Sequence, residues 1–121
     1  MQIVACDDSF ANEGAVDLLS SSGTGPLWGM ASTDLNATLL AWRPGHEVPE
    51  HVNEELDVLV IVLSGNGTAI IDGESHDLAA GNAILVPRGT RRQITAGDLG
   101  LRYLSVHRRR GPLQIQGRPG S

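Results

Sequence analysis

Short apolar stretches alternate with turn signals along most of the chain. From Leu35 onward, stretches of about four to eight residues rich in Leu, Val, Ile and Ala are separated by Gly, Pro, Asn and Asp. Turns that recur about every eight to twelve residues are typical of a β-sandwich or β-barrel. The predicted strands and strand pairs cover 35–42, 51–63, 68–71, 76–78, 83–86, 93–95 and 101–107.

The turn sequences between these stretches set where the strands reverse. Asp72-Gly73 is the strongest hairpin signal, because both residues tolerate the positive φ angles of a tight two-residue turn. The remaining turns are predicted at Pro44-Gly45, 64–67, 79–82, 87–89 and 96–98. The pattern predicts an all-β fold with no helix in its second half.

The two ends of the chain differ from the part between them. Residues 12–19 have apolar positions compatible with a short helix, so we expect a short helical or irregular segment there, ended by 20–23. We therefore divide the chain into a 1–34 extension that packs on the barrel, a single 35–110 β-barrel domain and a 111–121 tail rich in Gly and Pro.

Composition narrows the classes of function. The 121 residues suffice for one domain, and 40% apolar with 19% charged residues is typical of a globular protein. Nine basic residues, all arginines, against fourteen acidic ones give a net charge of −5, which disfavours nucleic acid as a partner. The longest apolar run, Val58 to Leu63, is too short to span a membrane. Cys6 is the only cysteine, and no signal peptide is evident, so we expect a cytoplasmic protein.

The order of glycines, prolines and histidines resembles two motifs of the cupin family. Gly45, His51 and Gly65 fit the first motif, although Asn53 and Val58 stand where the family has its second histidine and its glutamate. The glycine and proline frame of the second motif is matched by Gly81, Pro87 and Gly89. Its histidine and asparagine positions are occupied instead by Arg92 and Ala96. The resemblance covers about 35–107 and implies a small jelly-roll barrel, a double-stranded β-helix with an internal cavity.

The metal site that the resemblance implies is degenerate in this sequence. Family members bind a divalent metal through three histidines and a glutamate, and of these four positions only His51 is kept. Arg92 places a cation at a ligand position, which raises the electrostatic cost of a metal ion there. No cofactor is therefore the preferred expectation.

A rebuilt divalent-metal site remains an alternative. His46 precedes His51 by five residues, and Glu55 and Asp57 follow at even spacing, which a regular strand would place on one face with His51. Two histidines and one carboxylate suit non-haem iron and similar metals. The same acidic residues also fit a solvated loop with no metal.

Without a metal, the barrel residues form an acid/base and anion-binding set. His51 supplies an imidazole, a side chain suited to acid/base chemistry, and the planar guanidinium of Arg92 matches a carboxylate or phosphate in two contacts. Only one of Arg91 and Arg92 can face the cavity, because neighbouring strand residues alternate, and the sequence leaves open which one does.

Further candidates lie on the last strand and at the turns. One face of 101–107 carries Tyr103 and His107, which join the catalytic set if that face looks into the barrel. Trp42 and Asn53 are candidate substrate-binding residues. The barrel has open sheet edges, so a homodimer is expected, with a small molecule as the other partner.

Three hypotheses follow. The first is a metal-independent acid/base enzyme of the isomerase, cyclase or lyase type that acts on a small anionic metabolite. The second is a divalent-metal-dependent, oxygenase-like cupin with the rebuilt ligand set. The third is a non-catalytic ligand-binding or accessory cupin. We prefer the first, because an arginine has replaced a metal ligand.

Overall fold

The computed structural model describes residues 2–3, 15–20 and 22–109. Cys6, residues 12–14 of the predicted 12–19 helix and the 111–121 tail lie outside the described residues. The described part contains strands and turns and no helix. Its strands are β1 Gln2–Ile3, β2 Gly25–Ala31, β3 Leu35–Trp42, β4 Glu47–Val52, β5 Val58–Ile71, β6 Glu74–Ala79, β7 Ala83–Val86 and β8 Arg91–Arg108.

The strands form two antiparallel layers that share β5 and β8. The second half of β8 pairs with β3 and with the first half of β5, and β2 and β7 extend that layer on its two sides. The first half of β8 pairs with β4 and with the second half of β5, which also pairs with β6. Two long strands therefore run through both walls, and the all-β jelly-roll prediction is confirmed.

Two predicted turns are bends within continuous strands. The 64–67 and 96–98 segments were predicted to end strands, but β5 and β8 run through both positions, with shifts of register in β5 at 62–64 and 65–67. A side chain on Gly65 would overlap the Gly100 carbonyl, and one on Gly67 would overlap the Thr95 carbonyl. Glycine is needed here because the backbones of the paired strands come into close contact at these shifts of register, rather than because the chain reverses.

The predicted hairpin at Asp72-Gly73 is confirmed. Both residues have positive φ, at 47° and 86°, as a two-residue turn of this kind requires. The Asp72 carboxylate also accepts a hydrogen bond from the backbone N–H of Arg91 at 2.7 Å. The hairpin that joins β5 and β6 is thereby tied to the start of β8.

The sheet begins earlier than the sequence pattern predicted. β2 lies inside the 1–34 segment and pairs with β3 along its length, although its sequence contains two glycines and a proline. Its Trp28 is buried against Leu39 on the outer face of that layer, where Val16 and Leu18 also pack. Residues 15–20 adopt no helix and instead form a turn in which Asp17 accepts hydrogen bonds from Leu19 and Ser20.

The main core lies between the two layers. Eight of its ten buried side chains lie on β5 and β8, and β6 and β7 contribute one each. All are aliphatic except for one tyrosine: Val58, Val60, Val62, Ala69, Leu78, Val86, Ile94, Ala96, Leu101 and Tyr103. Within the described ranges, no helix is long and apolar enough to cross a membrane.

Candidate functional site in the barrel cavity

A small cavity lies between the layers, next to the main core. Its volume is about 110 Å³, which is room for roughly three or four water molecules. Six lining residues are apolar or aromatic and three carry polar groups: Leu40, Trp42, Val48, Val58, Val60, Ile94, Arg92, Tyr103 and Ser105. A cavity with a mainly apolar wall and a few converging polar groups is the usual form of a small-molecule site.

Two other depressions are larger but less suited to a ligand. One, of about 600 Å³, lies between Glu50, Glu54, Asp72 and Arg91 on the open outer surface. The other, of about 310 Å³, is lined by residues of the 53–57 loop with Arg88 and Arg108. Both are lined by exposed charged groups, so we assign the candidate site to the smaller barrel cavity.

Arg92 supplies the positive charge of the cavity. It lies on β8 and is half-buried, while its neighbour Arg91 is exposed and lies 3.9 Å from the Glu50 carboxylate. Strand alternation therefore sends Arg92 inward and Arg91 outward. Among the described residues, no carboxylate lies within 4.0 Å of the Arg92 guanidinium.

Tyr103 lies in the cavity wall with its hydroxyl oriented by Trp42. The indole N–H of Trp42 donates to the phenol oxygen at 3.2 Å. An indole N–H only donates, so the phenol must accept from it, and its own hydrogen remains available to a ligand. Burial raises the pKa of Tyr103 above its ordinary value of 10.0, although the Trp42 hydrogen bond and the charge of Arg92 both act to lower it.

Three of the candidate residues are histidines, and none of them lines the cavity. His46 lies on the β3–β4 turn, and its ring stacks on Trp42 with centroids 4.4 Å apart and planes 7° apart. His51 is exposed on β4 directly opposite Arg92, so both project from the same face of the strand pair. His107, near the end of β8, lies 3.3 Å from the Asn36 amide through Nε2 and is not among the cavity-lining residues.

The acidic residues that follow His51 do not share a strand face with it. β4 ends at Val52, so 53–57 is a loop and the even spacing does not align the side chains. Glu55 and Asp57 line the outer depression beside Arg88, and the Asp57 carboxylate accepts a hydrogen bond from the Arg88 backbone at 2.9 Å. The expected alignment of His51 with these carboxylates was wrong, because it assumed a longer strand.

The cavity residues do not fit a divalent metal. Its wall contains no imidazole, carboxylate or thiolate, Val58 is buried at the position of the family's glutamate, and Arg92 contributes a cation. Within 2–3, 15–20 and 22–109, no three His, Cys, Asp or Glu side chains are grouped so that they could hold a metal ion. The donor chemistry present suits an anion.

Asn53 has a structural role in the β4–β5 loop. Its side-chain oxygen accepts hydrogen bonds from the backbone N–H groups of Glu55 and Leu56, each at 3.0 Å. We expect Asn53→Ala to lower the free energy of unfolding by about 1 kcal/mol, measured by urea denaturation, because both donors lose this acceptor. The affinity for a ligand of the cavity should change less than twofold, because Asn53 is not among the cavity-lining residues. A tenfold loss of affinity at unchanged stability would instead show direct ligand contact.

The burial of Tyr103 predicts a pH dependence of stability. A tyrosine whose pKa is raised by folding stabilises the protein below the unfolded-state value of 10.0, and this contribution is lost as pH rises through the folded-state value. We expect the free energy of unfolding to fall as the pH rises past the unfolded-state value of 10.0, and to stop falling once the raised folded-state pKa of Tyr103 has been passed. Tyr103→Phe should lack this part of the decline, while losing about 1 kcal/mol at neutral pH because the Trp42 indole loses its acceptor. Identical pH curves for the two proteins would contradict the argument.

Ser105 and the aliphatic wall of the cavity were not among the site residues predicted from the sequence, whereas Trp42 was. Ser105 lies two residues after Tyr103 on the same strand face, so alternation already placed it beside a chosen residue. The contacts of Trp42 with Tyr103 and with His46 had no signal in the sequence, because the first joins positions 61 residues apart and the second depends on the conformation of a turn.

Known proteins resemble this chain in sequence and in fold. Dimethylsulfoniopropionate lyase DddW of Ruegeria pomeroyi is 28% identical in an alignment 95 residues long that covers 69% of this chain and 62% of that protein. This chain thus spans less than two thirds of its curated relative. The KdgF structure from Halomonas sp. has a TM-score of 0.64 at 21% identity, covering 72% of this chain and 77% of KdgF. A Thermus thermophilus structure has a TM-score of 0.71 at 22% identity, covering 82% of this chain and all of that one.

The family assignment rests on more than half of the sequence. The sequence model of the cupin domain matches residues 38–107, which run from β3 to the end of β8. This range contains all nine residues that line the cavity. The chain belongs to the cupin family.

Proposed function

We propose that this cupin binds a small carboxylate in its barrel cavity and transforms it by metal-independent proton transfer, as an isomerase, cyclase or lyase does. One observation carries the proposal: Arg92 is half-buried in the cavity wall with no carboxylate within ion-pair distance among the described residues. A half-buried guanidinium without a protein partner is the group that an anionic ligand would neutralise.

The polar groups of the cavity have complementary roles in this proposal. Arg92 holds the carboxylate, and the hydroxyl hydrogen of Tyr103, directed away from the Trp42 indole, donates to an oxygen on which negative charge develops. Ser105 is a further donor. Since the pKa of Tyr103 is raised, its phenol stays protonated at neutral pH and acts as donor or acid rather than as base.

The base in this proposal is His51. It lies opposite Arg92 on the neighbouring strand and is exposed, so it can accept a proton and exchange it with solvent. In such a step the C–H bond next to the carboxylate breaks, the proton passes to the imidazole, and the electron pair is delocalised toward oxygens held by Arg92. Neither histidine lines the cavity, but His107 is the less suitable base because both of its ring nitrogens lie within hydrogen-bond distance of other groups, the Asn36 amide and the Arg108 carbonyl.

The curated relative favours the lyase within this group of reactions. Its printed name gives it a substrate that contains a propionate carboxylate, and a lyase can begin with removal of a proton beside such a group. The identity of 28% over the matched part of that protein supports a shared reaction type as part of the proposal. The cavity of about 110 Å³ limits the part of the ligand that enters it to a few heavy atoms.

The first test is ligand binding by metal-free protein. We expect propionate to raise the melting temperature of protein treated with a chelator, and propionamide, which has the same shape without the charge, to leave it unchanged. Added divalent ions should neither be retained at stoichiometric amounts in elemental analysis nor increase the propionate effect. Equal effects of propionate and propionamide would contradict a site for anions.

The two alternatives predict other outcomes. Stoichiometric metal that falls in His51→Ala would support the rebuilt set of His46, His51 and Glu55 or Asp57 and would overturn the metal-free proposal. Propionate binding without turnover of any short carboxylate would support a non-catalytic binding protein. Under the proposed enzyme, His51→Ala abolishes turnover and leaves the propionate affinity and the melting temperature nearly unchanged, because this side chain is exposed.

A further inference from the structure

We infer that His46 is a positioning residue for the cavity: its ring holds the Trp42 indole in the orientation in which the indole N–H donates to Tyr103. His46 itself does not line the cavity, and in the contacts described above it reaches Tyr103 only through Trp42, which is part of the cavity wall. Its action is therefore indirect, through one aromatic ring and one hydrogen bond.

The backbone around His46 is held in place on both sides. The Gly45 N–H donates to the Ala96 carbonyl at 3.1 Å, and the Ala96 N–H donates to the His46 carbonyl at 2.8 Å. Ala96 is itself buried in the main core. Gly45 has a φ of 80°, a conformation that glycine adopts without strain, and the tight turn brings the next side chain back over the end of β3. The imidazole thus starts from a fixed anchor.

Trp42 is less enclosed by the rest of the protein than its hydrogen-bond partner Tyr103. It is the last residue of β3 and is only half-buried, whereas Tyr103 beside it is buried. The nearly parallel stacking of the two rings, at 4.4 Å and 7°, covers one face of the indole. Without that cover, the indole gains rotamer freedom and its N–H donates to the phenol for a smaller fraction of the time.

The expected consequence is a change in the phenol. The hydrogen bond from Trp42 lowers the pKa of Tyr103, so loosening the indole should raise that pKa further. It also releases the phenol oxygen from its donor, so the hydroxyl hydrogen is no longer confined to the direction of the cavity. The affinity for a ligand should fall when the hydroxyl loses this orientation, an expectation that rests on the proposed function.

Tyr103 is the only tyrosine in the chain, so its titration can be followed directly by tyrosinate absorbance. We expect His46→Ala to raise the pKa of Tyr103, and His46→Phe, which keeps a stacked ring, to leave it near the wild-type value. An imidazole is neutral at alkaline pH, so loss of a charge would not explain the difference. Circular dichroism across the titration confirms that each variant stays folded.

A double-mutant cycle separates positioning from general destabilisation. Trp42→Phe keeps a ring but removes the N–H, and it should raise the pKa of Tyr103 by itself. In that background His46→Ala should add nothing, because the hydrogen bond through which it acts is absent. An unchanged pKa in folded His46→Ala, or an equal shift with and without the Trp42 indole, would overturn the inference.

Binding gives a second readout. At neutral pH, His46→Ala should weaken propionate binding about threefold to tenfold, the worth of one oriented hydrogen bond, and His46→Phe should restore it. If propionate fails to bind the wild-type protein, the proposed function is wrong, whereas the titration of Tyr103 still decides the role of His46.

Discussion

Arg92→Ala is expected to weaken the binding of propionate by about 100-fold, because two charge-assisted hydrogen bonds to the carboxylate are lost together. Calorimetric titration of wild-type and variant protein measures the effect. Arg92→Lys should weaken the binding of propionate about tenfold, since an ammonium keeps the charge but not the planar pair of donors. The melting temperature without ligand should not fall, because the half-buried guanidinium has no carboxylate partner among the described residues.

The adjacent arginine provides the matched control. Arg91 has the same side chain on the same strand, one position away, but faces the outer surface near Glu50. Arg91→Ala should change the propionate affinity less than twofold. Equal losses in both variants would mean that overall charge attracts the ligand, and would remove the case for a specific anion site in the cavity.

Gly65→Ala is expected to lower the free energy of unfolding by about 3–5 kcal/mol, or the melting temperature by about 10–20 °C. Two costs combine at this position. Its φ of 83° is unfavourable for alanine, and the new methyl group would overlap the Gly100 carbonyl of the paired strand β8. The nearest atoms all belong to the backbone of Gly100 and Leu101, so no flexible side chain can move away. Thermal unfolding followed by circular dichroism is the measurement.

Two other glycines separate these costs. Gly81 has a comparable φ of 93° and open space around it, so Gly81→Ala should cost only about 1–2 kcal/mol. Gly67 has no such φ but faces the Thr95 carbonyl, so Gly67→Ala should cost about 2–3 kcal/mol from overlap alone. If Gly65→Ala lowers the free energy of unfolding no more than Gly81→Ala does, the close backbone contact between β5 and β8 does not constrain the fold.

Much of the fold could be predicted from turn chemistry. Asp72-Gly73 makes a hairpin because local sequence alone determines which φ angles are tolerated. Gly65 and Gly67 were misread as a turn, since glycine is needed both where the chain reverses and where two paired strands come into close backbone contact. The sequence of β5 alone does not tell these two cases apart, because the contact is made with β8. β2 was missed because its pairing with β3 outweighs the low strand propensity of its glycines and proline.

The candidate site could be predicted only in part. The resemblance singled out Arg92, but whether its side chain faces the cavity depends on how residues alternate along β8. The structure places Arg92 in the cavity wall. Tyr103 was considered because of alternation along one strand. The supposed alignment of His51 with Glu55 and Asp57 failed, because even spacing is informative only while a strand continues, and β4 ends at Val52.

Because β5 and β8 each run through both layers, neither wall of the barrel is a separate folding unit. The pairing of these strands joins segments far apart in sequence, from Val58 with His107 to Ile71 with Arg92. Loops of that length must close before most of the core can form, which is typical of slow folding with high contact order. The walls are therefore expected to form and melt together, so that a ligand bound between them stabilises the whole barrel cooperatively.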